Sequence, residues 1–466
     1  MSGPTLRQGS DVTMARPRIV VIGAGFAGLS ALRRLEQRIP RGAAEIVLIA
    51  PNDYMLYQPL LPQVASGLLT PQSIAVSLHR VLYRTRIVPG AAIGVDVDTR
   101  TVVVRRISGD LVYERYDRLI LAPGSNTRVF DIPGLIEHGR GNKNLAEAVY
   151  LRDHVLAQLE LANASGDLQE RVERCTFVVV GGGYTGVETA ASLKLLCEEA
   201  CKRYPHLRAY LSWHLIDIAP RLMPELGHNL GQSAMELLRE RGVKVTLEVS
   251  VKEVSENKVT FTDETVLPCR TLIWTAGTSP SPLNAGLGLE TDRGKLVVGP
   301  DLATPQRPEI FAVGDGAAIP DLSKEESGAL CPPTAQHASR QGPVAADNAI
   351  ASLLGRPKRS YYHRDLGLLV DLSGRDAVAR PLGYEVTGAA ALALTRAYHL
   401  YALPSGPARV RVATNWMIRA LLGGEVARLG FLNLRIDTLL DSEESQQYLT
   451  PEDAHERALV AVGREH

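Results

Sequence analysis

Five cysteines in 466 residues, none of them spaced as CxxC, leave this chain without a disulfide framework or a thiolate metal site. That usage suits a reducing compartment, and no metal is expected. Aromatic residues make up only 5%, and no window approaches the roughly 18 consecutive apolar residues that a membrane-crossing helix needs. Net charge is missing as well, since 51 Lys and Arg face 51 Asp and Glu. The chain therefore has no overall field to attract nucleic acid, and any charged docking site is local. The opening MSGPTLRQGSDVTMARP has no apolar stretch of the secretory kind, so residues 1–17 read as a disordered lead-in and the expected location is the cytoplasm.

What the chain does have is glycine in ordered places. Ile19 to Ile22 form the short apolar run of a strand buried on both faces, and Gly23-x-Gly25-x-x-Gly28 follows at once, with Phe26 and Ala27 between the last two glycines. The first glycine permits a tight turn, the second lets backbone approach a pyrophosphate, and the third lets the next helix pack on the strand. The device returns 158 residues later in CTFVVVGGGYTGVE, as Gly181-x-Gly183-x-x-Gly186 with Tyr184 and Thr185 in the turn. Two such motifs, each between a strand and a helix, ask for two dinucleotides: a bound FAD and a diffusible nicotinamide. The expected fold class is α/β, with two Rossmann-like dinucleotide-binding domains. The second is inserted in the first, as 18–150 and 300–365 for FAD and 151–299 for NADH.

Other stretches complete the two sites. The strand EIVLI ends in Ala50, where a carboxylate normally accepts from ribose, and Asn52 is the available substitute. NDYMLYQPLLPQVASGLL, with Pro59 inside it, suits either a rigid wall for a flat ligand or ordinary core. Ile87–Val104 and Leu111–Leu121 alternate like antiparallel strands, the second ending in LAPGS, where Ala122 and Gly124 bring backbone close to a ligand. In the second domain WHLID ends in Asp217, a carboxylate for the 2′-hydroxyl of NADH that repels the 2′-phosphate of NADPH. It lies 31 residues after Gly186 instead of about 20, which a longer helix absorbs. LIWTAG contributes Ala276 and Gly277, and EIFAVGDG brings Gly314 and Asp315 to the flavin's ribityl hydroxyls. Cys197 and Cys201, four apart on one helix, read as core packing.

These motifs, with PPTAQHASRQG at Pro332–Gly342 and the later HLYALP and NWMIRALL, resemble the type II NADH:quinone oxidoreductases over about Arg18–Leu429. The resemblance implies FAD and NADH as cofactors and a two-step relay: hydride from NADH to the flavin, then two electrons to a quinone or other electron acceptor. It also implies that Ala335 and Gln336 lie beside the flavin near the quinone, and that Glu188 lies near the nicotinamide and in proton supply. Two departures put the acceptor in question: Arg340 stands where a glutamine is usual, and Asp365-Leu366-Gly367 replaces a pattern with lysine in the middle. A soluble reductase of a small redox protein and an NADH-binding redox sensor stay open as alternatives.

The C-terminal region 366–430 is expected to carry amphipathic helices. Residues 387–403 and 409–422 form a hairpin too short to span a bilayer. On its second helix Ala413, Trp416, Met417, Ala420 and Leu421 make an apolar stripe, while Arg411, Asn415 and Arg419 populate another side. With the resemblance, this points to peripheral attachment at the inner leaflet of the cytoplasmic membrane, the rival being a helix pair buried on the body or in a homodimer. Residues 431–466 are a docking arm or an unstructured tail.

Overall fold

The computed structural model describes residues 16–324, 326, 328–364, 366–424, 426–430 and 449–462. Most of the lead-in, Asp365 and residues 431–448 lie outside them. Strand β1 (Arg18–Ile22) is buried after its first residue, so it is covered on both faces, and the glycine loop delivers the chain directly into helix α1 (Phe26–Arg38). β1 pairs in parallel with β2 (Glu45–Ala50) on one side and with β6 (Arg118–Leu121) on the other. Beyond β2 come β3 (Arg86–Asp96), β4 (Thr101–Arg106) and β5 (Leu111–Arg115), the last three antiparallel. The other edge is closed by β12 (Ile310–Ala312), which reaches β6 only after the chain has built a second sheet.

The stretch expected as one antiparallel strand, Leu111–Leu121, is two. At Asp117 the chain turns onto a new path, with Asp117 Oδ2 accepting from Arg18 N–H at 2.6 Å and Asp117 N–H donating to the Arg18 carbonyl. After it the alternation gives way to the buried run of β6, which suits a parallel neighbour of β1.

The second sheet is wholly parallel, in the order β7 (Gly139–Arg140), β11 (Thr271–Trp274), β8 (Thr176–Val180), β9 (Ser212–Ile216), β10 (Val243–Thr246). Its first strand thus precedes residue 151, and helix α3 (Leu145–Ala164) starts from a full capping box at Asn144 and Glu147. Helix α4 (Tyr184–Ala200) follows the second glycine loop. Short helix α2 (Leu61–Ala65), from the Pro-rich stretch, lies against both α3 and α4.

Helix α5 (Ala335–Leu353) returns to the first sheet and packs along α1. The approach is close: a Cβ on Gly342 would overlap the Ala27 carbonyl oxygen and come within 2.9 Å of Ala31 N. The C-terminal region then opens with strands that the sequence reading did not expect, ahead of its two expected helices. β13 (Leu369–Asp371), β14 (Ala377–Ala379) and β15 (Val386–Thr387) form an antiparallel sheet that α6 (Gly388–Ala402) covers through Ala391 and Leu392. Helix α7 (Gly406–Leu422) completes a hairpin with α6. Finally α8 (Pro451–Val462) docks on the first sheet, burying Ala454 against Ile93 and Val103, with His455 Nδ1 2.9 Å from Asp96 Oδ2.

The hairpin turns most of its stripe outward: Ala413, Met417, Ala420 and Leu421 are exposed, and Trp416 alone of the five goes inward, with Ala408 and Val412 of the same helix also buried. Trp416 is buried in the body, Asn415 Nδ2 donates to Ser73 Oγ at 2.7 Å, and Arg419 reaches the Gly67 carbonyl. Asn415 and Arg419 turn toward the body because Ser73, of the helix Pro71–Ile74, and the Gly67 carbonyl offer them hydrogen-bond partners there, whereas Arg411 stays exposed. Val410, Met417, Ile418, Leu421 and Leu422 of α7, with Leu394, Tyr398 and Tyr401 of α6, stay exposed.

The α1–α5 contact yields a test. Gly342→Val should cost at least about 2 kcal/mol, the usual range for overpacking a tight contact. It should be read as a lowered unfolding midpoint together with reduced flavin retention.

Candidate active site

The two glycine loops are built alike, and each ends on an open helix terminus. A Cβ on Gly23 would overlap the carbonyl of Ala122, and one on Gly28 would overlap the carbonyl of Gly23. A Cβ on Gly25 would meet nothing within 4 Å. In the second loop Gly181 abuts Thr275 and Gly186 abuts Gly181, while Gly183 again faces open space. Neither α1 nor α4 has a side-chain cap, so the first N–H groups of both helices point at that space. Bare donors at a positive helix end, reached past a glycine with no side chain, fit a pyrophosphate. The fit holds in both places.

Around the first loop the structure gathers most of the residues expected for FAD. Ala122 N–H donates to the Ile22 carbonyl, and Gly124 follows it with φ +75° and open space beside it. Gly314 and Asp315 form a short turn after β12. Asp315 Oδ2 accepts from Ser125 Oγ at 2.7 Å, and Lys143 Nζ donates to the same hydroxyl at 3.1 Å. Pro59 sits in the turn that leads to α2, while Asn52 is exposed beyond the end of β2. Ala335 and Gln336 open α5, capped by Thr334. Gln336 is buried, and its Oε1 accepts from Leu366 N–H at 3.0 Å, with His363 Nε2 3.2 Å away.

Around the second loop, Asp217 accepts from the backbone N–H of Gly182 and, at 2.6 Å, from Ala219 N–H. The carboxylate therefore stands at the mouth of the glycine turn, with one oxygen on each side of it. Ala276 and Gly277 follow β11, Gly277 at φ +90°. Glu188 lies in the second turn of α4 and accepts from Asp371 N–H at 3.0 Å. It is enclosed without being sealed, and burial pushes its carboxyl well above the usual range.

Comparison with known proteins agrees with this geometry. The sequence profile of the pyridine nucleotide-disulphide oxidoreductase family matches residues 17–342. The type II NADH:quinone oxidoreductase Ndh of Mycobacterium tuberculosis is 32% identical over 423 residues, 87% of this chain and 88% of the relative. The chain belongs to the type II NADH:quinone oxidoreductases. Demethylphylloquinone reductase NdbB of a Synechocystis species is 31% identical over 419 residues, 88% of this chain and 98% of its own. In shape the chain is similar to NDH2 of Plasmodium falciparum solved with NADH, with a TM-score of 0.81 at 19% identity over 88% of this chain and 100% of that one.

This enzyme is thus an FAD-dependent dehydrogenase that uses NADH. All five cysteines are free and buried, and burial pushes Cys175 up to about 12 and Cys201 up to about 11. Such thiols are poor nucleophiles at neutral pH. The departure at Arg340 is mild, because its guanidinium folds back to the Gln336 carbonyl at 3.0 Å. That at Leu366 leaves the hold on Gln336 intact, since a backbone N–H provides it.

Several polar residues of the site escaped the sequence reading. Gln341 accepts from Gly314 N–H at 2.9 Å and so ties α5 to the Asp315 turn. Tyr57 Oη meets His399 Nδ1 at 3.1 Å in the interior, where burial pushes His399 down to about 4. Gln63 and Asp371 join α2 to β13 at 2.9 Å. Gln341, Tyr57, Gln63 and His399 all lie in stretches singled out as motifs, yet only folding pairs them. Met55, Leu60 and Leu61 of the same stretch are plain core.

The contrast between the glycines gives a direct test. Gly183→Val should fold with an unchanged unfolding midpoint while the NADH KM rises at least about tenfold, or about 1.4 kcal/mol of lost binding. Gly186→Val should fail to give stable protein. Thermal unfolding and initial-rate kinetics separate the two.

Proposed function

We propose that this dehydrogenase receives NADH on the face bordered by Glu188 and Gly277, that a quinone approaches from the side of Gln336 and Leu366, and that the α6–α7 hairpin lays the enzyme on a membrane surface. The observation that carries the reading is the doubled glycine crossing with its two bare helix ends. Bound FAD supplies the redox chemistry, taking up hydride and giving up two electrons, and the protein contributes orientation.

Each residue has a bounded task in this scheme. Asp217 orients the adenosine ribose of NADH and disfavours a phosphate there. Gln336, held by the Leu366 backbone and by its place at the start of α5, sets the polar contact for the acceptor. Burial pushes the Glu188 carboxyl well above its usual range and favours the uncharged acid, which suits a proton store beside the redox centre. No helix among the described residues is long and apolar enough to cross a membrane. The outward apolar face of the hairpin therefore suits lying in one leaflet. Beside the hairpin turn a cleft of about 860 Å³ is lined by Arg33, Arg41, Arg80 and Arg84, which suits anionic headgroups. Glu36 also borders it, but its carboxylate accepts from the N–H groups of Tyr83, Arg84 and Thr85.

Anaerobic stopped-flow tests the acceptor. Reduction by NADH followed by mixing with a menaquinone analogue should give two rapid phases of flavin absorbance. Gln336→Ala should slow the second at least about tenfold, some 1.4 kcal/mol of barrier, with a smaller effect on the first. Slow reoxidation of the wild-type enzyme by every quinone overturns the quinone assignment and leaves the NADH and FAD assignments standing.

Attachment is tested apart from chemistry. The double substitution Met417→Glu and Leu421→Glu should cut binding to phosphatidylglycerol vesicles at least about tenfold, read by co-sedimentation. NADH oxidation by a water-soluble acceptor should persist. Undiminished vesicle binding would remove the hairpin from the role.

A further inference from the structure

A buried chain of hydrogen bonds runs from the hairpin to Glu188. Trp416 Nε1 of α7 donates to Gln63 Oε1 at 2.7 Å, and Gln63 Nε2 of α2 donates to Asp371 Oδ2 at 2.9 Å. Asp371 Oδ1 accepts from Ser373 N–H at 2.7 Å, and Asp371 N–H donates to Glu188. Ser373 is itself pinned to α4 by its hydroxyl, 2.6 Å from that of Ser192. Gln63, Asp371, Ser373 and Trp416 are all buried.

The donors decide where charge sits. Indole has only an N–H, so it must meet the carbonyl end of the Gln63 amide, which forces the NH2 end toward Asp371. Asp371 then has two donors on its two oxygens, whereas Glu188 receives one. The charged groups around the pair agree with this. Arg396 of α6 and Arg241, after the helix His228–Glu240, favour the ionised form of Asp371, against the desolvation that pushes it up. The charge acting on Glu188 is that of Asp371 itself, which disfavours a second anion.

We propose that Asp371 is a positioning residue that bears the negative charge of this pair and so keeps the proton on Glu188, and that Trp416, by fixing which way the Gln63 amide points, ties that proton to the seating of the hairpin. The inference deepens the reading of Glu188 as a proton store and rests on it. Its consequence is that displacement of α7 frees the Gln63 amide to turn its carbonyl toward Asp371. Asp371 then takes up a proton, and Glu188, without a charged neighbour, ionises more readily. No electron transfer is involved, only the distribution of a proton between two carboxyls.

The test is infrared titration of the oxidised, FAD-loaded enzyme, which reads carboxyl protonation without turnover. The stretch of protonated Glu188 is identified as the band that Glu188→Gln removes near neutral pH. Asp371→Asn, which keeps shape and removes charge, should lower the midpoint of that band by at least one pH unit. The Arg396 guanidinium lies over the Trp416 ring, 5.2 Å from its centroid, so Trp416→Phe, which keeps a ring there and removes the N–H, should lower it in the same direction. Retained flavin and an unchanged unfolding midpoint verify that each variant is folded. If Glu188→Gln removes no such band, the proton-store reading fails and the inference with it. If the band exists and its midpoint stays fixed in Asp371→Asn, the inference alone is overturned. A midpoint that moves in Asp371→Asn and stays fixed in Trp416→Phe overturns the link to the hairpin.

Discussion

A helix end left without a side-chain cap, set directly behind a glycine turn at the end of a parallel strand, is a ready place for a ligand's acceptor, and this enzyme builds two such ends among its described residues. Each requires that backbone cross backbone with no side chain between. At the first, Gly23, Gly28 and Ala122 converge, and at the second Gly181, Gly186 and Thr275. Since the third element at each crossing is the end of a neighbouring parallel strand, the sheet must be assembled before the cradle exists. The loops are therefore products of the whole domain, and the strands that return late in the chain are what make them rigid.

The first domain is closed from a distance. β12 and α5 arrive after the inserted sheet. α5 runs so close to α1 at Gly342 and Ala27 that the start of one helix fixes the start of the other. Gln341 then binds the Asp315 turn, and Gln336, five residues earlier on the same helix, is carried to its place. One helix thereby ties the Asp315 turn to the contact between Gln336 and the Leu366 backbone. The C-terminal sheet contributes on the other side, where Asp371 and Ser373 reach α4.

What could be read from the sequence was what local pattern determines. The glycine spacings foretold both loops, because each glycine answers a separate steric demand. The buried runs of β1 and β8 foretold parallel strands, and WHLID placed Asp217 at its turn. Misreadings came where a pattern has two solutions. Leu111–Leu121 alternates well enough for one strand, and only the capture of Asp117 by the Arg18 backbone divides it. The α7 stripe faces outward apart from Trp416, and no local pattern told that Asn415 and Arg419 of the same helix would meet Ser73 and Gly67, more than 300 residues earlier. Pairs such as Tyr57 with His399 and Gln63 with Asp371 carry no short-range signal at all. Their members are ordinary residues until the fold brings them within 3.1 Å.

The outward apolar face of the hairpin also governs how the enzyme behaves in solution. With Tyr401 80%, Leu421 75% and Leu422 83% exposed, two copies in plain buffer have every reason to bury these faces against each other. An oligomer measured without detergent or lipid then counts hydrophobic self-association, and its size should follow amphiphile concentration. A specific, symmetric interface elsewhere on the molecule would be indifferent to added amphiphile, which makes detergent a diagnostic of assembly as well as a means of keeping the enzyme in solution.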